Sequence, residues 1–69
     1  MKPFVVDVFF MDANDKLRKK RIEANTLDYA LYIMRQQSNK SGVTKIVVSK
    51  RSDYGGQISK IKVWNQPLF

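Results

Sequence analysis

The segment Phe4-Val5-Val6-Asp7-Val8-Phe9-Phe10-Met11 constrains the fold more than any other stretch of the chain. It is dense in β-branched and aromatic residues, which suit a pleated, half-buried surface, so it reads as a strand. Strand side chains alternate between two faces. Phe4, Val6, Val8 and Phe10 make one wholly apolar face; Val5, Asp7, Phe9 and Met11 make the other. The charge at Asp7 predicts that this second face is open to water, because burying an unpaired carboxylate is costly. An apolar face needs a covering layer, and one helix covers one face of a sheet.

The rest of the chain supplies those parts. Asp12-Ala13-Asn14-Asp15 is turn chemistry, since Asp and Asn side chains bond their own backbone and tolerate unusual dihedrals. Lys16 to Ala24 returns as the second strand of a hairpin. Asn25 is the expected helix cap, with Asp28 favouring the N-terminal dipole, and the helix runs from Thr26 to Ser38. Leu27, Ala30, Leu31 and Met34 share one stripe at helical spacing, widened by Ile33. Ser38 to Gly42 ends the helix. Val43 to Lys50 is a third strand, Arg51 to Gly56 a turn with two glycines, and Gln57 to Trp64 a fourth strand; Pro67 closes the regular structure. The expected fold is a single α+β domain over residues 1–69. Its order is β-β-α-β-β, a four-stranded antiparallel or mixed sheet with one helix on one face, in the manner of a β-grasp.

Alternation assigns the faces. The covered face is expected to hold Phe4, Val6, Val8, Phe10, Ile46, Val48, Ile61 and Val63, against Leu27, Ala30, Leu31 and Met34. The open face is expected to hold Phe9, Lys45, Lys60, Lys62 and Trp64, with basic residues of the second strand. Leu17 and Ile22 are five apart, so a regular strand sends them to opposite faces. A bulge within Arg18 to Arg21 would bring both to the core.

The sequence contains 0 Cys and 0 His, which removes disulfides and zinc chemistry through those ligands. The core must come from packing alone, in a chain of 69 residues with a thin stability margin. No apolar run approaches the ~20 residues of a membrane span. Met1-Lys2-Pro3 leads straight into a strand without the shape of a signal peptide, so the expected location is cytoplasmic. A general base would have to be a carboxylate or an amine. Asp12, Asp15, Asp28 and Asp53 have turn or cap duties, and no carboxylate pair is visible, so neither catalysis nor a cofactor or metal is expected. Lys50, Arg51, Gly55 and Gly56 do not have phosphate-loop spacing, and a tight hairpin turn explains the glycines.

Charge carries the functional reading. Thirteen Lys+Arg against 6 Asp+Glu give +7 and a pI near 10.0, which draws a small domain towards polyanions. The densest cluster is Lys16, Arg18, Lys19, Lys20 and Arg21. It reads either as a phosphate-contacting ribbon or as an edge strand guarded by lysines. Phe9 and Trp64 stand among cations, the combination on which single-stranded bases stack while phosphates meet Lys and Arg. Trp64 has a second reading, as a cover over a corner of the core. The candidate contact residues are Phe9, Arg18, Lys19, Lys20, Arg21, Lys45, Lys60, Lys62 and Trp64. The expected partner is nucleic acid or an acidic protein surface, not a membrane. The bare face and the sheet edges leave homodimerisation open.

The stretch Ala24-Asn25-Thr26-Leu27-Asp28-Tyr29-Ala30-Leu31 follows a hairpin and opens a helix that ends near Gly42, before Val43-Thr44-Lys45. In this A-x-T-L-D-x-A-L order, over residues 4 to 50, the chain resembles the small T7-type phage inhibitors of bacterial RNA polymerase. The resemblance implies a small protein that binds and blocks a host machine. It implies a contact role for Lys45, which matches a basic position on the strand after the helix; Val47 stands at the next such position. That family is acidic, whereas this chain is basic.

Overall fold

A hairpin, one crossover helix and two further strands make up the protein: β1 (Phe4–Met11), β2 (Leu17–Ala24), α1 (Leu27–Ser38), β3 (Val43–Arg51) and β4 (Ile58–Asn65). The computed structural model describes residues 2–52 and 57–67. The expected two-glycine turn lies, in residues 53–56, outside the described residues.

The β1–β2 turn is held by one side chain. Asp12 Oδ1 accepts from the backbone N–H groups of Asn14 at 2.8 Å and Lys16 at 3.0 Å. Asp15 takes the left-handed conformation at φ 60°, which an Asp tolerates better than most residues. The helix then starts one residue later than Asn25 would place it. Thr26 has an extended backbone, and its Oγ1 accepts the Tyr29 N–H at 3.1 Å, so Thr26 is the N-cap. At the far end Gly42 sits at φ 87°, where an added Cβ would lie 3.2 Å from the Met11 carbonyl oxygen. Its own carbonyl accepts the Met11 N–H at 2.9 Å, which ties the start of β3 to the end of β1.

The strands form one antiparallel sheet in the order β2-β1-β3-β4. The helix carries the chain from the β2 edge across β1 to β3, so β2 and β3 flank β1. It packs on β3, β1 and β2 and leaves most of β4 uncovered. Ala30, Ile33 and Met34 are its buried residues, with Leu31 packed beside them; Leu27, at the helix start, remains exposed. Against them lie Val6, Val8, Val43, Ile46 and Val48, joined by Ala24 and by the half-buried Phe4, Phe10, Ile22 and Trp64. Full burial of an aliphatic side chain of this size contributes about 1.5–3 kcal/mol, so these few residues hold the fold.

Two facing assignments are corrected. The bulge expected in β2 is absent: its register with β1 is unbroken from Ala24 opposite Phe4 to Leu17 opposite Met11. Ile22 reaches the core, and Leu17, which shares a face with Met11 on the uncovered side, is 63% exposed. The tight Asp12 turn pins the hairpin register, and a regular ladder separates residues five apart. The bulges lie instead in the other two strands. The β1–β3 register shifts between Phe9 and Phe10 and leaves Thr44 without a partner, which lets Val43 and Ile46 both reach the core. The β3–β4 register shifts between Val48 and Ser49 and leaves out Ile61.

Pairing with β3 sets the faces of β4, and the second bulge puts Lys60 on the opposite face from Lys62. Trp64 lies opposite Ile46 and Lys62 opposite Val48, so both are on the helix side; Val63 lies opposite Val47 on the other. The expected placement of Ile61 and Val63 in the core, and of Lys62 and Trp64 on the open face, is therefore reversed. Ile61 is 46% and Val63 41% exposed, while Trp64 packs against the core margin. Pairing with β3 decides the matter, because cross-strand partners share a face.

Candidate nucleic-acid interface

Along the uncovered face, one rung of the sheet brings an aromatic ring and two cations together. Phe9 has the parity that points away from the helix, and the register places Lys19 of β2 opposite it on one side and Lys45 of β3 on the other. Each lysine Nζ lies 5.9 Å from the centre of the Phe9 ring, within range of a cation–π attraction. The rung continues to Asn65 of β4, opposite Lys45. The ring itself is only partly buried.

The next rung is neutralised. Arg21 lies opposite Asp7, with Nε 2.8 Å from Oδ1 and Nη2 3.4 Å from Oδ2. The carboxylate holds the guanidinium above its ordinary pKa. This ion pair lets a mostly buried Asp sit on a face that no helix covers. One rung further, Glu23, Val5, Ser49 and Lys60 align. Glu23 Oε1 accepts from Arg51 Nη2 at 3.1 Å. Val5, Val47 and Ser49 are buried on this face, flanked by the two paired arginines and their carboxylates. In the opposite direction from Phe9 the face is apolar, with Met11 39% and Leu17 63% exposed.

The residues expected from sequence to make contact thus divide. Phe9, Lys19, Arg21, Lys45 and Lys60 share the uncovered face. Arg18, Lys20, Lys62 and Trp64 are on the helix side. There Arg18 Nε bonds Asp12 Oδ2 at 2.8 Å, and Lys20 Nζ lies 6.0 Å from the Phe10 ring. Lys62 and Trp64 border a shallow groove with Leu31, Met34, Arg35 and Ser38. Asn65 and Leu17, absent from the sequence-based set, belong to the uncovered face. Strict alternation from Lys19 would have found Leu17; Asn65 needed the β4 register.

Three of the four arginines are in ion pairs; among the described residues Arg35, in the last turn of α1, is in none. Arg18, Arg21 and Arg51 are held by Asp12, Asp7 and Glu23. Among the described residues, no lysine side chain is in an ion pair. The same residues contain no group of three or more His, Cys, Asp or Glu placed to hold a metal ion, and no helix long and apolar enough to cross a membrane. No family model, curated protein or solved structure matches the chain.

Proposed function

We propose that this protein is a non-enzymatic binding module that holds single-stranded nucleic acid on its uncovered sheet face. The observation that supports it is the Phe9 ring set between the Lys19 and Lys45 ammonium groups. A base has an apolar face that stacks on a ring, and its flanking phosphates seek cations. A duplex hides its bases and offers only the second of these. The Lys19 and Lys45 ammonium groups lie over the Phe9 ring, so a base that stacks there displaces them, and a phosphate can draw them aside.

Fluorescence polarisation with labelled single- and double-stranded oligonucleotides, at low and moderate salt, tests the reading. Phe9→Leu keeps the apolar bulk and removes the ring. It is expected to weaken single-strand binding by about 1–3 kcal/mol and to leave duplex binding nearly unchanged. Absence of binding at low salt, by a domain carrying +7, would overturn the proposal.

A second reading is a phage-type protein that blocks a host protein through an acidic patch. The exposed Leu17 and Met11 beside the cations favour it, since apolar anchors ringed by charge suit a protein interface. Capture of a defined acidic partner that persists after nuclease treatment would support this reading over the first.

A further inference from the structure

Resting on the single-strand reading above, we infer that the nucleic acid crosses the sheet at right angles to the strands. Its path is the one rung Lys19–Phe9–Lys45–Asn65, with Asp7 as the residue that confines it. The two cations nearest the ring come from the strands on either side of β1, not from positions along it. A backbone running across the strands meets Lys19, stacks a base on Phe9, meets Lys45 and arrives at the Asn65 amide.

A path along β1 fails in both directions. Towards the hairpin, the face offers Met11 and Leu17, which have no charge for a phosphate. Away from it lies Asp7, whose carboxylate repels phosphate and whose partner Arg21 is already engaged at 2.8 Å. The next unpaired cation on this face, Lys60, is opposite Ser49, four residues along β3 from Lys45 and so about 13 Å away. The occupant is therefore short. Four strands span about 14 Å from first to last, which matches the low end of single-strand site sizes, about four nucleotides.

The test is a salt titration of binding to oligothymidylates of increasing length, with each variant confirmed as folded by circular dichroism. Affinity is expected to level off near about four nucleotides. Lys19→Gln and Lys45→Gln should each flatten the dependence of log K on log salt by about 0.7, the value for one phosphate on a single strand, and Lys→Arg at either site should restore it. Lys60→Gln, on the same face but off the rung, should leave the slope unchanged. Asp7→Asn releases Arg21 and should steepen the slope and lengthen the plateau; should that variant not fold, the three surface lysines carry the test alone. If oligonucleotides bind but Lys60→Gln flattens the slope as much as Lys19→Gln, the path is overturned and the single-strand reading stands. If nothing binds at low salt, both fall.

Discussion

Asp12 shows how much one side chain can settle. Its carboxylate closes the turn through the Asn14 and Lys16 amides and reaches across the hairpin to Arg18. The Arg18 guanidinium first, and the Lys16 amide next, hold its pKa below the ordinary carboxylate value. Glu23 is similar: Arg51 first, and the Lys2 amide next, lower its pKa. A carboxylate whose pKa is lowered on folding adds stability above its unfolded value and loses it as pH falls through the folded one. Urea midpoints are therefore expected to hold from neutral pH to about pH 5 and then to decline towards about pH 3. Followed by circular dichroism, the Asp12→Asn/Glu23→Gln double variant should start lower at neutral pH and decline less. Superimposable profiles would show that these pairs contribute nothing. The turn role of Asp12 was legible in the sequence, because Asp chemistry in a turn is local. Its bond to Arg18 was not, since the two are six positions apart and meet only through the hairpin register. Thr26 shows the same limit: two adjacent capping residue types compete, and only backbone geometry chooses.

Strands were easier to find than to orient. The alternation in β1 sorted its residues between the two faces correctly, but Val5 and Asp7 are buried on the face expected to be open to water; the order hairpin, helix, two strands follows from local pattern alone. Alternation failed in β4, because its apolar residues do not mark the core side: Val63 lies opposite Val47, and the unpaired Ile61 puts Lys60 on the opposite face from Lys62 and Trp64. The facing of Lys62 and Trp64 is set by their pairing with Val48 and Ile46, which the alternation of β4 by itself does not reveal, and no residue type announces the bulge that splits Lys60 from them. The bulge also has a physical use. An edge strand with exposed Ile58, Ile61 and Val63 invites pairing with another sheet, and a bulge disrupts the straight ladder that such pairing needs. Deleting Ile61 keeps every β3–β4 partner, from Lys45 with Asn65 to Arg51 with Ile58, and makes the edge regular. The deletion variant is expected to fold with stability within about 1 kcal/mol of the parent. Sedimentation should show it associating as concentration rises while the parent does not. A monomeric deletion variant would remove the protective role from the bulge.

Taken whole, the molecule is elongated. Its radius of gyration is 12.5 Å, against about 11 Å for a globular chain of this length, and its extents are 38 × 21 × 17 Å. One helix lies over part of one face, and a sheet this thinly covered turns much of its surface to solvent. The basic surplus is sorted across that surface largely, though not wholly, by residue type. Three arginines lock to carboxylates at the hairpin, mid-sheet and the β3 end, while among the described residues the lysines and Arg35 stand free of ion pairs. Guanidinium forks suit fixed pairing, and ammonium groups on flexible stems suit mobile contacts. Acetylation would therefore act selectively, since it neutralises amines and leaves guanidinium groups alone. An exhaustively acetylated sample should retain its circular dichroism spectrum and, if the proposed single-strand binding is right, lose its affinity for oligonucleotides. The protein thus separates the charge that builds it from the charge it shows, and the second can be erased chemically, or by a lysine-modifying enzyme, without dismantling the first.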